Sequence, residues 1–305
     1  MTASSERDLN ADAGGAMPEA RILADLDRLP TFPTAVAQVL QLTSRPETSA
    51  AEIAAAIATD PVLTARLLRV VNSAYFGFPQ RISTLHQAVV ILGMQAVRLL
   101  TISAAAAEFS QQLPLPEGIE LDNFWKHSAA VASSTGDIAR TLVDCRWDEA
   151  LVSGLLHDIG IIVMACSIPE QYSEVLEYAT QARCHLVTAE QRMLQTDHTR
   201  IGSAVGSYWG LPEPLVYAIR FHHSPADAGP HGALAAAVHV ANAVTVGAGS
   251  RICPATCSTY VNPDVWALLG GLTTGVGPDE LRRFSFYLQN NMEKIQDLMA
   301  RMIAA

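Results

Sequence analysis

The feature that most constrains the fold is the spacing of apolar residues, which recur three and four positions apart along most of the chain. This spacing places apolar side chains on one face of an α-helix, where they can be buried together. The strict alternation of polar and apolar residues that is typical of a strand is missing from the sequence. We therefore predict an all-α fold. The periodic segments are 34–42, 50–59, 61–71, 84–107, 124–142, 148–165, 188–208, 215–223 and 233–246.

Turn-forming residues divide these helices into two groups. Residues 111–118 read QQLPLPEG, which favours a turn over a helix. We predict a two-lobed helical bundle with a first lobe at 21–112 and a second lobe at 119–246. The polar, glycine-containing residues 1–20 lack an apolar signal core and are predicted to be a disordered leader. Residues 247–305 are predicted to form a C-terminal helical extension.

Composition narrows the classes of function. Half of the residues are hydrophobic and 16% are charged, which is enough for a large core. The net charge of −10 argues against a nucleic-acid surface built on overall charge. No uninterrupted apolar run reaches the length that spans a membrane. The 5 cysteines, an odd number, fit a reducing compartment better than a disulfide framework. We expect a cytoplasmic protein that binds neither nucleic acid nor membrane.

Histidines and one aspartate in the second lobe are the strongest chemical signal. The pair His157-Asp158 follows an apolar run, and further histidines occur on the other helices of this lobe. The first lobe, in contrast, contains only His86. Neutral imidazole is the commonest metal ligand, and carboxylate oxygens complete such sites. One interpretation is that these histidines and the aspartate converge on a metal ion. The other is a metal-free scaffold in which the histidines hydrogen-bond one another.

Two motifs link the chain to a known family. His127, His157-Asp158 and the late helix with His239 and Asn242 resemble the HD phosphohydrolase superfamily. The run DPVLTARLLRVVNSAYFG, residues 60–77, more specifically resembles the HDOD domain, the HD-related output domain of bacterial signalling proteins. The resemblance covers about residues 22–245. It implies a site for iron, manganese, zinc or nickel. The implied ligands are His127, His157, Asp158, His198, His222, His223 and Asn242.

Departures from the enzymes of the superfamily point away from catalysis. HD hydrolases have aspartate where this chain has Asn242, and the related HD-GYP phosphodiesterases of cyclic di-GMP have lysine where it has Ile161. Phosphoester hydrolysis needs a metal to generate hydroxide, and positively charged groups beside the phosphoryl oxygens to stabilise their negative charge. Arg220 and Lys126 are the cations nearest in sequence that could supply this charge. We expect efficient phosphodiesterase activity to be absent.

The resemblance therefore implies a bacterial signal-transduction protein that acts through contacts with an unidentified signalling partner. The alternative is a metal-dependent phosphohydrolase of a nucleotide or cyclic dinucleotide. Self-association as a homodimer is left open. The aromatic cluster at residues 72–79 is either a docking surface or a plug between the lobes, and burial of large aromatic rings favours the plug.

Overall fold

The computed structural model is helical throughout the part that it describes. This part comprises residues 18–24, 34–43, 45, 47–111, 115–142, 145–252, 261, 265–269, 297 and 301. Every regular element in these ranges is a helix, which confirms the all-α prediction. The N-terminal helices are α1 (Pro18–Ala24), α2 (Thr34–Thr43), α3 (Ala50–Ala58), α4 (Pro61–Val71), α5 (Leu85–Leu92) and α6 (Met94–Gln111). The remaining helices are α7 (Leu121–Leu142), α8 (Trp147–Leu156), α9 (Ile159–Ser167), α10 (Pro169–Ala182), α11 (Leu186–Leu194), α12 (His198–Tyr208), α13 (Glu213–Phe221), α14 (Gly232–Gly247) and α15 (Val265–Leu268), with a 3₁₀ segment at Pro225–His231.

Side-chain caps fix the starts of α3 and α4. Ser49 accepts a hydrogen bond from the Glu52 backbone N–H, and the Glu52 carboxylate accepts one from the Ser49 N–H. Asp60 accepts hydrogen bonds from the N–H groups of the first turn of α4, and Pro61 occupies the first helical position. These caps satisfy amides that have no partner inside the helix. They account for two well-defined helix starts.

Three periodic segments are broken where the sequence predicts one helix. Segment 84–107 is α5 and α6, which are bent by 120° at Gly93. Segment 148–165 breaks at His157-Asp158 and not at Gly160, which lies inside α9. Segment 188–208 breaks at 195–197, where Gln195 has a φ of 57°. Periodicity persists through each break because both halves of the segment bury apolar side chains.

One continuous cluster of buried apolar side chains runs through the helices of both predicted lobes. Helix α6 packs against α2, α4 and α5, and it also contacts α7 and α8. Of the lobe boundary, residues 112–114 lie outside the described ranges, as do most of residues 1–20 and 247–305. Helix α1 begins at Pro18, within the segment assigned to the leader. The domain boundaries remain predictions.

The most apolar stretch of the chain is buried in this core. Among the described residues, Trp147–Ser167 is long and apolar enough to cross a membrane, and 89% of its most apolar window is buried inside the fold. The bent pair of α5 and the first part of α6 passes the same test only if it is counted as one span. Core helices of globular proteins have the same composition, so these stretches are weak evidence for a membrane segment.

The aromatic cluster lies where the N-terminal helices meet α8. The ring of Phe76 packs edge-on against Trp147 of α8, with 6.3 Å between ring centroids. Tyr75 and Phe78 contact the same Phe76 ring at 5.3 and 6.0 Å. All four side chains pack against the main core. This arrangement agrees with the plug between lobes that the sequence favours.

Candidate metal centre

The predicted site residues converge from five places in the fold. His127 lies near the start of α7, and His157 and Asp158 form the break between α8 and α9. His198 begins α12, and the doublet His222-His223 follows the end of α13. Asn242 comes from the middle of α14. The break matters because it turns the Asp158 carboxylate into the space enclosed by the other helices.

A close approach between α9 and α12 brings His198 to Asp158. A Cβ atom on Gly160 would overlap the carbonyl oxygen of His198 and would lie 2.7 Å from the backbone nitrogen of Gly202. Only glycine at position 160 lets the two backbones pack this closely. Gly160 is visible in the sequence two residues after Asp158, but its role in helix packing is apparent only in the structure.

Asp158 lies at the centre of four imidazoles. Its Oδ2 is 3.0 Å from Nε2 of His157 and 3.9 Å from Nε2 of His127. Its Oδ1 is 3.3 Å from Nε2 of His198 and 3.4 Å from Nε2 of His222. All five side chains are buried. The structure thus brings four predicted histidines together around the carboxylate of the fifth predicted residue, Asp158.

The second nitrogens of three of these rings determine which atoms face the carboxylate. Nδ1 of His127, His157 and His222 lies 3.0, 2.8 and 2.9 Å from the backbone carbonyl oxygens of residues 250, 154 and 219. A carbonyl oxygen only accepts hydrogen bonds, so each Nδ1 carries the proton in the neutral ring. Each Nε2 then presents a lone pair towards Asp158.

Lone pairs and a carboxylate that converge in a buried space repel one another unless a cation lies between them. Nε2 of His157, Nε2 of His222 and Oδ1 of Asp158 are buried and have no hydrogen-bond partner among the described residues. The 3.3 and 3.4 Å contacts to Oδ1 therefore lack the alignment of hydrogen bonds. Unpaired buried acceptors are costly. The donor atoms of this site fit a divalent metal ion.

Two overlapping groups of donor atoms occur among the described residues. Asp158, His198, His222 and His223 each offer one atom within 4.8 Å of the others, and we call this group the tetrad. His127, His157 and Asp158 form a second such group, the triad. His223 joins the tetrad through its Nε2, which is 3.3 Å from Nε2 of His198. Because Asp158 belongs to both groups, the arrangement suits one ion or two neighbouring ions that share a carboxylate.

Asn242 lies beside the triad. Its side chain interacts with the His127 ring and lines the same cavity. Its Oδ1 is buried without a hydrogen-bond partner among the described residues. An amide oxygen can bind a metal, but it brings no negative charge.

A buried glutamate that sequence analysis missed holds His198 in place. Glu190 of α11 is fully buried, and its carboxylate is 2.7 Å from Nδ1 and 3.0 Å from the backbone nitrogen of His198. The Tyr172 hydroxyl donates a hydrogen bond of 2.6 Å to the same carboxylate. A carboxylate behind the ring of a metal-binding histidine is a recurrent feature of metal sites. The only signal in the sequence was an acidic residue on the apolar face of a helix.

Burial and charge divide the imidazoles into two protonation classes. Burial lowers the pKa of His127 and of His222 to about 4, so both are neutral at neutral pH and able to bind a metal. Burial also opposes the charge on His198, but the carboxylates of Glu190 and Asp158 outweigh it and raise the pKa of His198 well above its usual value.

The pKa of Asp158 reflects a similar competition. Burial favours its neutral form, but positive charge on the surrounding imidazoles, first on His157 in its protonated form, outweighs burial and holds the pKa of Asp158 well below its usual value. The carboxyl group is thus charged at neutral pH, and the metal-free site keeps a proton on His198. A metal ion would take the place of that proton.

A small cavity opens beside Asp158. It encloses about 40 Å³, which is room for a few waters or for metal ions and a small ligand. Its lining includes two histidines, His185 and His239, that are not in the predicted ligand set. His239 Nδ1 bonds to the carbonyl oxygen of His222 at 2.7 Å, whereas the ring of His185 packs edge-on against His223. The described lining contains no lysine or arginine.

The two cations proposed from the sequence as phosphate ligands do not line the cavity. Arg220 donates a hydrogen bond of 2.7 Å to the Thr199 hydroxyl and lies 4.0 Å from Asp197. Lys126 is 51% exposed on α7, where it approaches Asp122. Ile161, in contrast, contributes an apolar side chain to the cavity wall.

Known proteins share this architecture. A protein from Shewanella amazonensis SB2B, named as a proposed phosphohydrolase, has a crystal structure that matches with a TM-score of 0.71 and 25% identity, over 93% of this chain and 98% of that one. An HDOD domain protein of unknown function from Geobacter sulfurreducens matches with a TM-score of 0.74 and 23% identity, over 94% and 99% of the two chains. The second likeness shows the fold alone.

A relative by sequence and a family model complete the comparison. An uncharacterized protein of Treponema pallidum (strain Nichols) is 29% identical over 210 residues, which are 67% of this chain. The chain spans only 39% of the length of that relative. The model of the HDOD domain matches residues 29–225, well over half of the chain. The chain therefore belongs to the HDOD domain family.

Proposed function

We propose that this protein is a regulatory component of bacterial signal transduction that acts through protein contacts, and that its HD-type centre binds metal without efficient hydrolysis. The observation that carries the proposal is the cavity beside Asp158. It offers metal-binding atoms, but it encloses only about 40 Å³ and has no cationic side chain in its described lining. A phosphodiester at this cavity would lack the charge stabilisation that its hydrolysis requires.

The role of the metal in this proposal is to fasten helices to one another. Donor atoms of the tetrad come from the α8–α9 break, from α12 and from the end of α13, and the triad adds α7. An ion bound at these atoms would satisfy the unpaired acceptors and stabilise the folded state by its binding energy. Mixed imidazole and carboxylate donors admit iron, manganese, zinc or nickel.

The location and the partners belong to the proposal as well. We place the protein in the bacterial cytoplasm, with a signalling protein as its partner and with a homodimer as one form in which it could act. The chain belongs to the family of the HDOD domain, the HD-related output domain of bacterial signalling proteins, and this membership supports the proposal.

A metal-dependent phosphohydrolase is the second candidate. One specific observation favours it: the tetrad and the triad share Asp158, as two ions that act together on a phosphoester require. The name of the Shewanella amazonensis protein points the same way. The small cavity and the positions of Arg220 and Lys126 count against it.

A turnover assay separates the two candidates. The purified protein is loaded with manganese or, without oxygen, with ferrous iron, and is incubated with cyclic di-GMP and with bis(p-nitrophenyl) phosphate. We expect product formation no faster than in the Asp158→Ala variant under the same conditions. Hydrolysis that is clearly faster in the wild type and is abolished by Asp158→Ala would overturn the regulatory proposal in favour of the enzyme.

A further inference from the structure

We infer that the centre holds two ions of unequal affinity, with the tetrad filling first and the triad filling only at higher metal concentration. The inference rests on the proposed metal centre. It concerns how the residues of this chain divide their donor atoms and charge between the two groups.

The donor atoms are divided unequally. The tetrad has three imidazoles and a carboxylate, which is a complete set for a four-coordinate ion. The triad has two imidazoles and the same carboxylate. Oδ1 of Asp158 is nearest to the tetrad rings of His198 and His222, and Oδ2 is nearest to His157. Each group thus receives one oxygen of a single negative charge.

The groups behind the ligands increase this difference. Behind the tetrad, the fully buried Glu190 carboxylate hydrogen-bonds to His198, which adds a second negative charge and makes the ring a stronger ligand. Within the described residues, Nδ1 of His127 and Nδ1 of His157 each face a backbone carbonyl oxygen and no carboxylate. An ion in the tetrad therefore has more compensating charge than an ion in the triad.

Asn242 determines how weakly the triad binds the second ion. The triad needs a further ligand, and beside its own histidines the buried Oδ1 of Asn242 has no hydrogen-bond partner among the described residues and lines the same cavity. This neutral oxygen completes the donor set without balancing the charge of a second divalent cation, which is also repelled by the first. An ion in the triad would link α7 and α14 to the α8–α9 break, because His127 and Asn242 lie on those two helices. Its occupancy would thus couple the metal concentration to helix packing, which makes divalent metal a candidate input signal.

The test counts ions as a function of free metal. Metal-free protein is dialysed against a series of manganese concentrations, bound manganese is measured by elemental analysis, and electron paramagnetic resonance reports whether two ions are coupled. We expect one ion at low concentration and a coupled second ion only at a concentration at least about 10-fold higher, the lower end of the effect of outer ligands on metal affinity.

Variants assign the two steps. Asn242→Asp should raise the affinity of the second step on the order of 10- to 100-fold and leave the first step unchanged. Asn123→Asp is the matched control, because it adds the same charge to α7 at a residue that does not line the cavity. His127→Ala should remove the second ion only, and His223→Ala should weaken the first. Thermal melts of the metal-free variants establish that each is folded.

Several outcomes would overturn the inference. Binding of two ions with equal affinity to the wild type would contradict the inference. The manganese titration of the wild type alone can show this outcome. Loss of the tighter ion in His127→Ala would reverse the proposed order. Equal effects of Asn242→Asp and Asn123→Asp would remove the role given to Asn242. If the wild type bound no ion at any concentration, the metal centre itself would be wrong, so the failure of the proposed function is distinguishable from failure of the unequal affinities.

Discussion

Asp158 is the residue on which the candidate site depends. It is buried, its pKa is held well below the usual value, and the Nε2 atoms of four imidazoles lie within 3.9 Å of its oxygens. The sequence predicted all four of these histidines as its partners, and it also predicted His223 and Asn242 at the same cavity. Their role as metal ligands remains a prediction.

What the sequence could not predict at this scale are the residues behind the ligands. Glu190 and Tyr172 are ordinary residue types at ordinary helical positions, and their role follows only from the hydrogen bonds that join Tyr172 of α10 to Glu190 of α11 and Glu190 to His198 of α12. His185 was missed for the same reason, since it lies at the start of α11 and contacts His223 only in three dimensions. Spacing along a helix shows which side chains share a face of that helix, but it does not show which other helix this face packs against.

Replacing the glutamate behind His198 tests its role in metal binding. Glu190→Gln keeps the size of the side chain but removes its charge, and we expect the affinity for the first metal ion to fall roughly 10- to 100-fold. Isothermal titration with zinc would measure this. Glu174→Gln, at an exposed position of α10, is the control and should leave the affinity unchanged. Equal affinities in both variants would show that Glu190 is merely structural.

The cap of α12 gives a prediction about stability and pH. Asp197 accepts hydrogen bonds from the backbone N–H groups of Thr199 and Arg200, both at 3.0 Å. Burial opposes its charge, but these hydrogen bonds, with those from the Thr199 hydroxyl and Gln191, lower its pKa from 3.8 to about 2. We expect Asp197→Ala to lower the free energy of unfolding by about 1 kcal/mol at neutral pH.

The sign of the pH dependence follows from the lowered pKa. The stabilisation by Asp197 should be complete above pH 3.8 and should be lost as the pH falls towards about 2, because only the charged form keeps the cap. Urea unfolding of the wild type and the variant between neutral and acid pH would measure the difference. A difference that stays constant down to pH 2 would contradict the assignment.

At the scale of elements, the sequence predicted where helices are but not where long ones break. Gly93 gave a visible signal for the bend between α5 and α6, and its φ of 85° is one that glycine adopts without strain. The break at His157-Asp158 has no proline and no glycine at the break itself. It is stabilised by the packing of α9 against α12, which is a tertiary contact. Tertiary packing overrides local periodicity at such positions.

This packing can be tested at Gly160. An added Cβ would overlap the His198 backbone, so we expect Gly160→Ala to lower the free energy of unfolding by about 1–3 kcal/mol or more and to weaken metal binding by displacing His198. Gly202→Ala is the comparison, because its added Cβ would lie 3.0 Å from Cγ2 of Ile219 and 3.2 Å from the backbone nitrogen of Gly160, which are milder contacts than the overlap at position 160. Guanidinium unfolding should show the larger loss at position 160. The opposite order would contradict the close approach of α9 and α12.

At the scale of the whole molecule, family and fold class were accessible from the sequence because residues 60–77 carry a specific motif. The single core that joins α6 to both sets of helices was not, since no local pattern encodes which helices meet. The two predicted lobes are therefore consecutive segments of the chain, but their helices share one core. A change at the metal centre can reach the N-terminal helices through α6 and α8, which are in contact.

Metal removal should thus affect the stability of the whole domain. An ion present at 100 times its dissociation constant stabilises the folded state by about 2.7 kcal/mol. We expect treatment with a chelator to lower the melting temperature of the wild type and to leave that of Asp158→Ala unchanged. Differential scanning calorimetry would measure both. Equal responses to the chelator would indicate an effect that does not involve this centre.

The central claim is that the imidazoles around Asp158 bind a metal ion. Anomalous X-ray scattering from crystals of protein purified without chelator tests it most directly, because it locates a metal and identifies the element. We predict an anomalous peak between the Asp158 carboxylate and the Nε2 atoms of His198, His222 and His223. Well-ordered rings that hydrogen-bond one another or water, with no anomalous peak between them, would contradict the claim.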